Sequence, residues 1–146
     1  MASERFKMIG AVHLILIRDG RALLARRFNT GWSDGLYGLV AGHMDGNEKA
    51  SEAMIREAYE EAGIKISPED LQIAHIMHKK LDDERVDFFF TAQKWEGEPQ
   101  NTEPHRCDHM DWFPLDNIPG NTIPYCKAAL ENYLKGIQYS EYGWQQ

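Results

Sequence analysis

Apolar positions alternate along some stretches of this chain, run unbroken in others, and recur at helical spacing in two. Over Met8–Ile17, Val12, Leu14 and Leu16 alternate with His13, Ile15 and Ile17, so both faces carry apolar groups. That pattern predicts a strand buried on both sides, near the centre of a sheet. His13 reads as a hydrogen-bonded sheet histidine. Arg18-Asp19-Gly20-Arg21 has hairpin-turn chemistry, and Ala22–Phe28 returns as a second strand. Asn29–Gly38 is rich in Gly, Asn, Ser and Asp and reads as a loop, with Trp32 as a lid or a packing anchor. Leu39-Val40 is a short strand leading to Gly42.

Lys49 to Ala62 predicts a helix, with Ala50, Ala53, Met54 and Ala58 as its apolar stripe. Asn47 is a candidate N-cap, and Gly63 stands where a left-handed cap is expected. Ile64–Ile66, Leu71–Leu81, Arg85–Trp95 and His109–Leu115 read as further strands. Phe88, Phe89 and Phe90 in succession require burial on both faces. Gly97–His105 is a loop punctuated by Pro99 and Pro104, and Pro124–Lys135 predicts a second helix with Pro at its start. The tail GIQYSEYGWQQ is polar and aromatic, with docking and fraying both open. Strands, helix, strands, helix imply an α/β (α+β) domain: a mixed β-sheet with helices on its faces.

The first helix breaks a local rule. Glu57, Glu60 and Glu61 stand at i, i+3 and i+4 and crowd one side of its last turns. Negative charge at a helix carboxyl end costs roughly 0.3–1 kcal/mol per group, and each like-charge pair adds roughly 0.2–0.5 kcal/mol. Arg56 offsets part of this. A hard divalent cation would reverse the sign of the arrangement, because such ions take carboxylate oxygens. A solvated acidic face is the plain alternative.

The residues around the acids change that balance. Gly42, then Glu48, then Arg56-Glu57, Ala58, Glu60-Glu61, Gly63 and Ile64 fall at fixed intervals across Gly42–Ile64. This stretch resembles the Nudix box of the Nudix (MutT-like) hydrolases at every fixed position. Val40-Ala41-Gly42 stands where the family often has Pro-Gly-Gly. The resemblance implies an α/β/α sandwich filling residues 1–146 as a single domain, with the box helix beside the active cleft. It implies Mg²⁺, with Mn²⁺ able to substitute, held by Glu57, Glu60, Glu61 and the Gly42 carbonyl. Arg56 would orient the glutamates, and Glu48 would support the site. The run Trp95–Pro104, WEGEPQNTEP, is similar to a MutT loop that carries a further carboxylate, which points to Glu103 as ligand or base, with Glu98 as runner-up. Asn121 resembles a base-reading Asn of MutT proteins, offset by one position. Arg26-Arg27, at a strand end, are candidates to face substrate phosphates.

Motifs that accompany ADP-ribose, diadenosine polyphosphate and NADH specificity are missing downstream of the box, where Lys79-Lys80-Leu81-Asp82 stands. The resemblance therefore favours a nucleoside triphosphate cut to monophosphate and pyrophosphate. Hydrolysis of nucleoside diphosphate sugars or related diphosphates is the alternative. A non-catalytic nucleotide sensor is a second, although no box carboxylate is lost.

A net charge of −7 argues against duplex nucleic acid as partner and for a small nucleotide that arrives with metal. No apolar run is long enough for a membrane span, and the start MASERFKMIG lacks a signal-peptide core. Cys107 and Cys126 lack metal-ligand spacing and read as free thiols in a cytoplasmic protein. Monomer and dimer are both compatible with the sequence.

Overall fold

Strand β1 (Ile9–Ile15) sends alternate side chains into two different cores, which is why its sequence is apolar on both faces. The computed structural model describes residues 4–145. The Met8–Ile17 stretch is not one strand. It breaks at Leu16 into β1 and the short β2 (Ile17–Arg18), which belong to different sheets. Leu16 is fully buried at the break, and its carbonyl accepts the Leu23 N–H. Asp19 and Gly20 then adopt φ of 53° and 72°, the left-handed pair that a tight hairpin requires. This turn leads into β3 (Arg21–Arg27).

The stretch Asn29–Gly38 is not all loop: it ends in strand β4 (Tyr37–Gly38), which Leu39 separates from β5 (Val40–His43). Helix α1 (Ala50–Ala62) follows. Asn47 is not its cap. It takes a left-handed φ of 55° in the approach turn, and Lys49 is the capping residue. The Glu52 carboxylate accepts the Lys49 N–H at 2.8 Å, half of a capping box. At the far end Gly63 has φ 70° and donates to the Tyr59 carbonyl. Ile64–Ile66 forms no strand beyond a single bridge between Lys65 and Glu96, with Ile64 and Ile66 buried beside it.

Strands β6 (Leu71–Lys80) and β7 (Glu84–Ala92) form a hairpin, and β8 (Cys107–Pro114) precedes α2 (Pro124–Leu134). The tail docks: Tyr139–Tyr142 is β9, parallel to β6. His75 holds it there through the Ile137 carbonyl (2.8 Å) and Ser140 Oγ (2.7 Å).

The large sheet has the order β5-β1-β7-β6-β9 and is mixed, with β1 parallel to β7. A smaller antiparallel sheet pairs β3 with β2, β4 and β8. Val12 and Leu14 pack with Ala53, Met54, Ala58 and Ala62 of α1. Ile15, Met77 and Phe89 pack with Ala129 and Leu130 of α2. The helices therefore lie on opposite faces of the large sheet. Small residues on α1 let its backbone approach β5, and that approach creates the site. Among the described residues no helix is long and apolar enough to cross a membrane.

Candidate active site

Glu57 and Glu61 meet β5 where α1 packs on it. Glu57 is buried, although it is charged and lies on the apolar stripe of the helix. Its carboxyl group rests on the α-carbon of Gly42, so closely that a β-carbon there would overlap all three carboxyl atoms. One turn later, Glu61 Oε1 accepts the Ala41 N–H at 3.0 Å. Two successive residues of β5 thus receive two successive acids of one helix face.

Arg56 bridges the acids. Its Nη1 donates to Glu57 at 2.8 Å, and its Nη2 donates to Glu48 at 3.0 Å and lies 3.2 Å from Asp45. Glu48 in turn accepts the Asp45 N–H at 2.7 Å, which with Arg56 holds its carboxyl below the usual range. The hydrogen bond to Glu48 heads the interactions that raise the Arg56 guanidinium above its ordinary value. Glu60 is more peripheral. Its carboxylate is half exposed and lies 3.7 Å from Arg56.

Glu103 reaches the site by a route that spacing does not reveal. The loop after β7 caps the carboxyl end of α1: the Gln100 N–H donates to the Ala62 carbonyl at 3.0 Å, and Thr102 Oγ1 donates to the Glu60 carbonyl. These bonds satisfy carbonyls that a helix end leaves free. Asn101 Oδ1 then accepts the Glu103 N–H at 3.0 Å, and the Glu103 carbonyl takes the N–H groups of Arg106 and Cys107. Glu103 and Glu61 both line one cleft. Glu98, by contrast, is spent on a bidentate pair with Arg18 at 2.7 and 2.8 Å, outside that cleft.

Burial governs the charge state of the acids. It pushes the Glu61 carboxyl up to about 8, and neighbouring Glu57 and Glu103 add to the rise. Burial also raises Glu57, against the opposing effect of Arg56. Among the described residues no three Asp, Glu, His or Cys side chains already converge as a closed metal cage. Arg56 and the Ala41 N–H engage oxygens that would have to turn. The donors nonetheless fit a hard divalent cation: carboxylates in excess over local cations, two of which, Glu61 and Glu57, burial disfavours as free anions.

The cleft opens to solvent. Arg26, Arg27 and Trp32 contribute to its wall, as do His13, Tyr125 and Cys126. Arg26 is anchored to Asp108 at 2.7 Å. Arg27 is anchored to the Trp32 carbonyl at 2.7 Å and to Thr30 at 3.0 Å. Its guanidinium lies 5.0 Å from the Trp32 ring, which is 46% exposed, so Trp32 stands over the opening rather than in the core. Asn121 is engaged elsewhere. Its amide donates to the Gly35 carbonyl at 3.0 Å and its carbonyl accepts the Tyr37 N–H, which leaves it outside the cleft wall.

Tyr125 and Arg106 join the wall without any signal in the sequence, because α2 and the capping loop are brought there by packing alone. His13 departs from expectation in one respect. Its Nε2 is paired with Asp87 at 2.8 Å, but its Nδ1 has no partner.

The Nudix domain family model matches residues 7–131. An RNA pyrophosphohydrolase of Agrobacterium fabrum is 27% identical over 150 aligned positions, covering 86% of this chain and 88% of that protein. A CTP pyrophosphohydrolase of Escherichia coli is 35% identical over 69 residues, 47% of this chain. The chain spans 51% of the length of that enzyme and 43% of another curated relative. The crystal structure of a MutT Nudix hydrolase from Burkholderia pseudomallei superposes with a TM-score of 0.78 at 28% identity, covering 86% of this chain and 98% of that one. With the family match extending over most of its length, and the box acids gathered against β5, the chain belongs to the Nudix hydrolase family.

Proposed function

We propose that this chain is a Mg²⁺-dependent pyrophosphohydrolase that adds water across a phosphoanhydride of a nucleoside triphosphate, releasing monophosphate and pyrophosphate. The observation that carries the reading is the seating of Glu57 and Glu61 against Gly42 and Ala41, with Glu103 beside them in the cleft. The carboxylates of Glu57, Glu60, Glu61 and Glu103, with the Gly42 carbonyl, would hold the metal. A divalent ion held by these groups would supply neutralisation of phosphate charge and a lowered pKa for bound water.

The chain supplies the rest. Arg56 restrains Glu57 and Glu48, so the acids lose little freedom when substrate arrives. Glu103, whose backbone is held by hydrogen bonds with the Asn101 side chain and the Arg106 and Cys107 N–H groups, would take a proton from the attacking water. Arg26 and Arg27, which also line the cleft, would offer guanidinium groups to phosphate oxygens. The test is pyrophosphate release from a nucleoside triphosphate panel with Mg²⁺, Mn²⁺ or chelator, beside Glu61→Gln. Activity unchanged by that substitution, or no turnover on any triphosphate, defeats the proposal.

A second reading takes the triphosphate from an RNA 5′ end, as the name of the Agrobacterium relative suggests. The net charge of −7 opposes a long polyanion, which favours the free nucleotide. Comparing release from a mononucleotide and from a 5′-triphosphorylated oligoribonucleotide at equal concentration separates them.

A further inference from the structure

His13 is 3% exposed yet forms part of the cleft wall. Its ring stacks on Phe89 with centroids 4.5 Å apart and meets Tyr125 edge-on at 5.8 Å. The ring orientation is therefore set by packing on both sides. Nε2 lies 2.8 Å from Asp87 Oδ1, and the buried Lys79 ammonium lies 3.3 Å from the same oxygen. Lys79 itself is held over the Tyr125 ring at 3.4 Å. Burial pushes the Asp87 carboxyl up, but the hydrogen bonds from His13 and Lys79 and the Lys79 charge oppose it, and the group stays below the usual carboxylate range.

An ionised Asp87 is acceptor only, so His13 must donate through Nε2–H. Burial lowers the imidazole below its ordinary value, so the ring is neutral. In a neutral ring with hydrogen on Nε2, Nδ1 is a bare lone pair. Nδ1 is buried and has no partner among the described residues. An orphaned buried acceptor is costly unless something arrives to use it.

We infer that His13 Nδ1 accepts a hydrogen bond from the exocyclic amino group of a nucleobase lodged in the cleft, which makes His13 a specificity-determining residue. The inference rests on the nucleotide reading above and extends it to the base. An exocyclic amine projects beyond the ring and can reach a recessed acceptor. A ring N–H in uracil or hypoxanthine is flanked by carbonyl oxygen that needs a donor of its own. The His13 ring itself has none to give, because its Nε2–H is taken by Asp87. Trp32 and Tyr125, with centroids 6.4 Å apart, give the base apolar surface in the same cleft.

The experiment compares triphosphates that differ only by amine against oxygen at one ring carbon: CTP with UTP, and ATP with ITP. In whichever ring size is turned over, the amino member has the higher kcat/KM by about tenfold or more, the effect of one specific hydrogen bond. His13→Phe keeps the stack on Phe89 and brings that ratio near one, chiefly by slowing the amino member. A second measurement needs no variant. In protein labelled with ¹⁵N in the histidine rings, CMP or AMP moves the unprotonated His13 nitrogen upfield, while UMP or IMP does not.

Equal kcat/KM within each pair, a preference for the oxygen member, or an unmoved resonance overturns the assignment while the triphosphate reading stands. A water held on Nδ1 would give that result. Failure to hydrolyse any nucleoside triphosphate removes both.

Discussion

The Glu57 carboxyl group occupies the space that a side chain at Gly42 would fill. An acid is thereby buried between a helix and a strand, with Arg56 as its one cationic neighbour at hydrogen-bond distance. Only glycine permits the approach. Gly42→Ala must expel Glu57 or separate α1 from β5. The expected outcome is a fall in kcat of about 100-fold or more, as for a misplacement of about 1 Å, together with a lower Tm. Steady-state kinetics and thermal melts check it. A variant with native kinetics would show that Glu57 does not work from this position.

Arg56 ties Glu57, Glu48 and Asp45 to one guanidinium. Arg56→Gln is expected to lower kcat and to weaken metal activation by roughly 10–100-fold. Lys keeps the charge but not the fork, so Arg56→Lys recovers part of kcat only. The activity plotted against Mg²⁺ concentration reads both effects. Full recovery by Lys would reduce Arg56 to a source of charge.

The two candidate loop acids are separated by what they touch. Glu103 lines the cleft, whereas Glu98 is paired with Arg18 outside it. Glu103→Gln is expected to reduce kcat by roughly 100-fold, while Glu98→Gln leaves kcat within about twofold. Steady-state kinetics of the two variants decide between them, and the reverse order would exchange their roles.

Glu61 is expected to give stability a pH signature that bound metal would abolish. Its carboxyl group rises from an ordinary 4.5 to about 8 in the folded chain, chiefly through burial. Between those values the folded state holds a proton that the unfolded chain has released, so stability falls as pH rises through that window. Glu61→Gln removes the penalty. In metal-free buffer above pH 8 the variant should melt above wild type, by about 4 °C for each kcal/mol relieved. Below the ordinary carboxylate range the two curves converge. Saturating Mg²⁺ should reverse the order by binding wild type only. Differential scanning calorimetry across pH tests this, and parallel curves would mean that Glu61 is not a buried unpaired acid.

Asn121 holds the loop before β4 through the Gly35 carbonyl and the Tyr37 N–H. Asn121→Ala keeps its backbone bond and loses the other. It should alter all nucleotides alike, with the ratio of kcat/KM between bases unchanged. A base-selective loss would return Asn121 to the base-reading role that its place in the sequence suggests.

Periodicity alone placed α1, α2 and the long strands within a few residues, because those elements bury continuous stripes that local spacing encodes. The hairpin at Asp19-Gly20 and the cap at Gly63 were legible for a similar reason: left-handed φ selects a short list of residues. The break at Leu16, the absence of a strand at Ile64–Ile66 and the pairing of β9 were not legible. Each depends on which distant backbone offers a partner, and a strand's hydrogen bonds lie outside its own sequence.

The candidate site divides along the same line. Glu57, Glu60, Glu61 and Arg56 belong to one helix, so their spacing by itself determines that they share a face. Their depth does not follow from spacing. Glu57 is buried and Glu60 half exposed because β5 approaches one side of α1 and not the other. Glu103 becomes a neighbour of Glu61 only because its loop satisfies the carbonyls at the end of α1. His13 looked like an ordinary sheet histidine until the tertiary structure put Asp87 on one nitrogen and an open cleft beside the ring. The sequence alone determined which acidic and basic groups one helix face presents; packing over long separations decided which of them stand together and how much water they keep.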